Sequence, residues 1–310
     1  MKKKIFKHSI LLVLFSFFLT LFPVFSGGNY RYSVNSIAKA EGISFDEELP
    51  MSRKVKKFIG DLEDPSSDDD TRHTAVWALG NLGDKRAVPC LIKVLAHDKN
   101  ENIRSVAAEA LGKLEDKQAV KPLIKALKDP DWGVRVDAVY AFRRLKDFSS
   151  EAIPYIIERL KDEDETVRMT AARVLGDFKD TRAVEPLCQT LGDKNQRVKT
   201  SAISSLGLLG DSKAVEPLFQ LFKEGESDVI RASVVRSLGE IKSDRSVQYV
   251  TEALTDKNIF VRMIAVTTLG KIGDEKTLEV LEKISKTEED SDMKDALKKS
   301  IENIKRALKK

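Results

Sequence analysis

The sequence predicts an all-α protein built as a solenoid of about eight helix pairs, and three observations carry that prediction. One pattern recurs through most of the chain. With Arg168 of a Val-Arg pair as anchor, the equivalent positions are Arg72, Arg104, Arg135, Lys199, Arg231, Arg262 and Lys294, spaced 31 to 33 residues apart. A fixed period of that length belongs to stacked units that touch only their neighbours, so the 310 residues read as one elongated repeat domain. The composition favours helix, with 42% hydrophobic, 33% charged and only 7% aromatic residues and abundant Ala, Leu, Glu and Lys. Four residues before every anchor stands a strong helix N-cap former: Asp68, Asn100, Asp131, Asp164, Asn195, Ser227, Asn258 and Asp290.

Ahead of the repeats, Lys2, Lys3, Lys4 and Lys7 precede an apolar run from Ile10 to Phe22, then Val24, Phe25 and Ser26. This is the layout of a secretory signal, and residues 1–26 are expected to be cleaved near Ser26. An uncleaved membrane anchor is the alternative, although the run falls short of the roughly 18 apolar residues of a spanning helix and Pro23 closes it. Residues 27–50 are polar, contain Gly27-Gly28 and lack a helical period, which suits a flexible leader. The solenoid then occupies residues 51–310.

Loss of residues 1–26 removes four lysines and no acids, leaving 49 basic against 49 acidic residues and lowering the formal charge from +4 to 0. A nucleic-acid binder needs a basic footprint, and none remains. The basic C-terminal residues Lys305, Arg306, Lys309 and Lys310 suit the negative end of a helix dipole.

Each unit reads as two helices. After Arg168, the apolar residues Ala171, Ala172, Val174, Leu175 and Phe178 follow the spacing of one buried helix face. Twelve residues past each anchor stand Asp84, Asp116, Asp147, Asp180, Asp211, Ser243 and Asp274, expected to start a second helix such as the one containing Ala183, Val184, Leu187 and Leu191. Pro122, Pro154, Pro186 and Pro217 lie inside it, which leaves either a loose first turn or a bend. Gly80, Gly112, Gly176, Gly207, Gly239 and Gly270 recur near the end of the anchor helix. They fit either close approach by a neighbouring helix or a C-terminal helix signal.

The reactive residue types are sparse. Cys90 and Cys188 fall on corresponding helices three repeats apart, too far to form a disulfide, and are expected to be buried thiols. His8, His73 and His97 form no paired ligand motif, so no metal is expected. No phosphate loop, nucleophile elbow or Cys-His arrangement is present, and the carboxylates follow turn and cap positions. No catalytic residue and no cofactor are expected.

The D-x5-R spacing, the VR-xx-AA-xx-LG-x-LGD run and the A-V-x-P-L segment resemble HEAT repeats of the phycobilisome-lyase type, over about residues 51–310. The resemblance implies a right-handed superhelix with the anchor helices lining its concave side. It also implies a ladder in which a turn Asp pairs with the Arg six residues later or in an adjacent repeat. Asp98/Arg104, Asp129/Arg135, Asp162/Arg168, Asp193/Lys199 and Asp256/Arg262 fit that spacing, whereas Ser66, Gly225 and Glu288 stand where Asp is expected. The Gly225 departure implies a local break or widened turn between Phe222 and Asp228. The His-Glu pairs of the deoxyhypusine hydroxylases, which share this type of repeat, are absent.

On the anchor helices, the positions one, two, five and nine residues after the anchor should face outward. In the repeat of Arg168 these are Met169, Thr170, Arg173 and Asp177. Aromatic residues concentrate in the first units as Trp77, Trp132 and Tyr140, and Trp, Tyr and Arg are the residues that most often anchor protein interfaces. The candidate partner-binding residues are therefore Trp77, Glu109, Trp132, Tyr140, Arg144, Arg173 and Arg236, with the alternative that Trp77 packs between repeats or covers the N-terminal end. The expected function is non-catalytic: an exported scaffold or adaptor of the cell envelope, possessing a concave surface for a protein or peptide. Nucleic acid is excluded, and membrane contact is expected only if the N-terminal segment stays uncleaved. The alternatives are an enzyme or subunit similar to the bilin lyases and a self-assembling structural component.

Overall fold

A computed structural model describes residues 53–309; the expected signal segment and leader lie outside the described residues. The chain alternates between two helix layers. In order, α1 (Arg53–Glu63) pairs with α2 (Asp69–Leu82), α3 (Val88–His97) with α4 (Glu101–Leu114), α5 (Val120–Ala126) with α6 (Trp132–Arg144), and α7 (Ile153–Glu158) with α8 (Glu165–Phe178). Then come α9 (Val184–Thr190) with α10 (Gln196–Leu209), α11 (Val215–Lys223) with α12 (Asp228–Ile241), α13 (Asp244–Glu252) with α14 (Ile259–Ile272), and α15 (Glu275–Ser285) with α16 (Ser291–Leu308). No strand occurs among the described residues, and the eight pairs form a helical solenoid.

The even-numbered helices are the anchor helices, and all eight expected caps form. The side chain of each residue from Asp68 to Asp290 in that set accepts a hydrogen bond from a backbone N–H of its own first turn. A cap of this kind is worth about 1 kcal/mol. The residue seven places after the anchor is the keystone of the first seven units: Leu79, Leu111, Phe142, Leu175, Leu206, Leu238 and Leu269 are all essentially inaccessible to solvent. Truncating one to Ala would cost about 2–5 kcal/mol in lost burial and cavity.

The odd-numbered helices begin differently. Asp84, Asp116, Asp180 and Asp211 each cap a short 3-10 turn, and the α-helix starts three residues later. Pro89, Pro122 and Pro186 then sit within the first α-helical turn, where no intrahelical N–H bond is lost, which matches the loose-first-turn alternative. The expectation for Asp147 is corrected. In that unit a six-residue 3-10 stretch, Lys146–Glu151, replaces the capped turn, with Asp147 inside it and capping nothing. The thiols are also less enclosed than expected. Cys90 and Cys188 are free and half-buried, on α3 and α9.

Successive anchor helices pack against one another from α2 to α16, whereas successive odd-numbered helices touch sparsely. Glycine makes the closer packing possible. A Cβ built on Gly80 would lie 2.8 Å from the Ala110 Cβ, one on Gly112 would lie 2.8 Å from the Ala141 Cα, and one on Gly176 would lie 2.9 Å from the Ser205 Cα. Gly207 and Gly270 meet Ser237 and Ser300 in the same way, and Gly239 meets the side-chain methyl of Thr268. The recurring glycine is therefore a close-approach site inside the helix. Helix ends are made elsewhere, by left-handed residues such as Gly83 and Gly210. Repeat three departs from this rule, because Arg143 occupies the glycine position on α6, opposite Val174 of α8.

The ladder runs forward along the chain. The guanidiniums of Arg72, Arg104, Arg135, Arg168 and Arg231 bond the carboxylates of Asp98, Asp129, Asp162, Asp193 and Asp256, each in the following repeat, at 2.7–2.8 Å. Toward their own repeat the arginines reach the turn's carbonyl, as Arg168 does with Asp162 O at 2.9 Å, and make no contact with its carboxylate. Each guanidinium thus staples two turns. At the Gly225 departure Gly225 is left-handed, and Glu226 takes over the carboxylate role opposite Lys199. A second ladder runs beside the first. Asn100, Asn195 and Asn258 cap their own helices and donate their side-chain N–H to Asp69, Glu165 and Asp228 of the repeat before.

Candidate functional site

With structural roles assigned to the turn aspartates, the ladder arginines and the glycines, the available surface is the face of the anchor helices turned away from the odd-numbered layer. Positions two residues before the anchor, and two, five and nine after it, lie within about 60° of one another on a helix circumference. They form four rows running across the array.

On α4, α6 and α8 these rows are heavily cross-linked. Lys113 pairs with Glu109 at 2.8 Å and also bonds the Asn81 side chain of α2. The Ser105 hydroxyl donates to Asp137 across α4 and α6. Arg173 of α8 bonds the Tyr140 hydroxyl of α6 at 3.3 Å, and Arg143 reaches Asp177 at 2.7 Å while lying over the Tyr140 ring. Burial pushes the Asp137 carboxyl above the usual carboxylate range; the Ser105 hydroxyl opposes that rise, and Glu109 and Asp131 add to it. Thr170, expected to face outward, is 1% exposed, and its hydroxyl has no partner. It lies on α8 beside the step where Arg143 replaces glycine.

The aromatic residues do not converge. Trp77 is 55% exposed on α2 and borders a hollow of about 420 Å³ at the N-terminal end of the array, lined by Lys54, Lys57, Phe58 and Leu82 among others. Ala78, in that hollow, occupies the position at which later repeats meet the preceding glycine. Trp132 is exposed in the first turn of α6, about 12 Å along the helix from Tyr140. Of the remaining candidates, Arg144 and Arg236 are exposed and carry no ion pair among the described residues.

The rows change character on α12 and α14. Val229 and Phe260, equivalent residues two places before their anchors, are 56% and 53% exposed, and Ile259 is exposed beside Phe260. Met263 and Ile264 continue the apolar surface one turn further along α14, before the exposed Thr267 and Lys271. Asn258 bonds Asp228 and holds the first turns of the two helices together, which brings Val229 and Phe260 side by side. Sequence reasoning missed Val229 and Phe260 because it counted outward positions only after the anchor; the same helical arithmetic, carried back two residues, finds both.

Among the described residues no group of three or more His, Cys, Asp or Glu side chains is placed to hold a metal. Burial pushes the Cys188 thiol up to about 11, with Glu185 and Asp211 contributing, so it is protonated at neutral pH.

Comparison with known proteins agrees with this architecture. The family model for HEAT repeats matches residues 57–143, 153–238 and 216–302, and that for the PBS lyase HEAT-like repeat matches residues 134–162. No curated protein is significantly similar in sequence. Among solved structures, YibA of Escherichia coli is 19% identical, with 84% of this chain and 99% of that one covered and a TM-score of 0.57. An engineered protein is 20% identical, with coverage of 81% and 78% and a TM-score of 0.50. These two share the fold. The complex of CpcE and CpcF of phycocyanin lyase from Nostoc sp. PCC7120 is 24% identical, with coverage of 83% and 98% and a TM-score of 0.45.

Proposed function

We propose that this chain, which belongs to the HEAT-repeat family, is a non-catalytic protein-binding scaffold that is exported to the cell envelope and receives its partner on the anchor-helix face. The observation that carries the reading is the contiguous exposure of Val229, Ile259 and Phe260 on adjacent helices. Apolar side chains grouped on one surface mark interaction sites in soluble proteins. The regular repeat supports it as well. The ladders and glycine steps hold the backbone, leaving four rows of side chains free to suit a partner without cost to the fold. Export rests on the basic and apolar N-terminal segment.

The test is affinity capture with the chain lacking residues 1–26, from an envelope extract, followed by cross-linking to locate the captured protein. Cross-links should fall on α2 to α14 at the outward rows. A partner cross-linked solely to odd-numbered helices would overturn the reading of the face, and recovery of the full-length chain from the cytoplasm would overturn export.

A further inference from the structure

The C-terminal part of the anchor-helix face has an unbalanced charge that defines its partner. On α10, α12 and α14 the four outward rows hold the cations Arg197, Arg236 and Lys271 against one carboxylate, Glu240. None of the three cations makes an ion pair or a side-chain hydrogen bond among the described residues. Between them lies the apolar surface of Val229, Phe260 and Ile264. On α4, α6 and α8 the same rows hold three cations and three carboxylates, and all but Arg144 are engaged: with one another, with the Tyr140 hydroxyl, or with Ser105 and Arg143 beside the rows.

We infer that the Val229–Phe260–Ile264 surface, with Arg197, Arg236 and Lys271 around it, docks an acidic amphipathic segment of a partner protein, whose apolar side chains lie on the surface and whose carboxylates meet the three cations. The inference rests on the scaffold reading and specifies its partner. The charge favours an anionic ligand, and the apolar floor requires one that also buries hydrophobic side chains, which a polyanion such as a nucleic acid lacks. Two arginines among the three cations suit carboxylates, which they engage in a bidentate fork. Anchor helices spaced about 8–10 Å apart are crossed by a helical segment of about 15 residues.

The experiment uses two fluorescein-labelled peptides of about that length, with Leu at helical i, i+4, i+7 and i+11 positions and the other positions filled by Glu and Ala in one, Lys and Ala in the other. Anisotropy should show the Glu peptide binding at least about tenfold more tightly than the Lys peptide, with a preference that shrinks as salt rises. Phe260→Ser should abolish binding of both peptides, and Arg236→Glu with Lys271→Glu should reverse the preference while the thermal melt is unchanged. Absence of binding, equal affinity for both peptides, or binding that survives Phe260→Ser would overturn the inference. Self-association that Phe260→Ser removes and the Glu peptide does not compete with would assign the surface to a second copy instead. A captured partner cross-linked to α2–α8 alone would overturn this inference and leave the scaffold reading intact.

Discussion

The anchor-helix faces of α4–α8 and α10–α14 stand on the same repeat, yet their side chains spend their interactions differently. On α4–α8, outward side chains bond across the helices: Ser105 to Asp137, Arg173 to Tyr140, Arg143 to Asp177. On α10–α14, the polar outward groups turn back on their own helix, as Ser201 and Ser233 do with the carbonyls of Arg197 and Val229, and the large apolar residues face solvent. A surface that satisfies itself offers little to a partner, and one that leaves cations and apolar groups unsatisfied gains from being covered. The contrast shows that this fold separates support from recognition: what holds the array is common to both halves, and what could bind differs.

If support is common, breaking it should cost the same in either half. Arg168→Ala and Arg231→Ala each leave a half-buried carboxylate, Asp193 or Asp256, without its buried partner, and each should lower the unfolding free energy by about 3 kcal/mol. Urea denaturation checks this, and a large difference between the two would mean the ladder is not a shared device. The same staple sets an acid limit. Burial opposes the charge on Asp193 and Asp256, but the arginine and the N–H of Asn195 or Asn258 outweigh it and hold both carboxyls below their usual range. With the folded pKa below the unfolded value of about 3.9, the contribution of these two links is complete above about pH 4 and is lost as the pH falls through the folded values. Melting temperatures followed from pH 6 to pH 2 should drop along one common curve for the two variants, with a smaller acid loss than in the unaltered protein.

Packing sharpens the contrast at one step. Gly239→Ala drives a Cβ into Thr268 and should cost about 1–3 kcal/mol, whereas Arg143→Ala, at the equivalent position on α6, should stay within about 0.5 kcal/mol because Arg143 is already exposed. Equal losses would show that the α6–α8 step is packed like the others. The smallest effect belongs to the surface itself. Tyr140→Phe removes only the 3.3 Å bond from Arg173, and Phe260→Ser removes an exposed ring, so each should change stability by less than about 0.5 kcal/mol. They should separate in dye binding: Phe260→Ser should reduce the fluorescence of a bound hydrophobic probe, and Tyr140→Phe should not.

Much of this architecture was legible in the sequence because the responsible interactions are local. A cap joins residues two or three apart, so Asn100 or Asp164 could be read at sight. The direction of the ladder could not, since Arg168 is six residues from Asp162 and 25 from Asp193, and only packing decides which carboxylate it reaches. The glycines were ambiguous for the same reason: the atoms that require Gly176 belong to Ser205, in the next repeat. Thr170 was misread as outward because its burial depends on neighbours that the helical period does not encode. The candidate surface was half legible. Tyr140 and Arg173 do meet, but Trp132 lies about 12 Å along its helix from Tyr140, and Val229 and Phe260 stand two residues before their anchors, outside the positions counted as outward.

The Lys199–Glu226 link carries one more consequence. Along the ladder from Arg72 to Arg231, every other link is a planar guanidinium forked between two turns, which resists both twisting and shear. Lysine offers a point charge on a flexible stem, and its partner follows the left-handed Gly225. A rod of nearly uniform springs with one compliant spring concentrates its bending there. That position falls between α10 and α12, inside the α10–α14 surface, with Arg197 on one side of it and Val229 and Phe260 on the other. Thermal bending would therefore swing Arg197 relative to the apolar floor, so a ligand reaching back to α10 would feel a hinge and one seated on α12–α14 would feel a rigid floor.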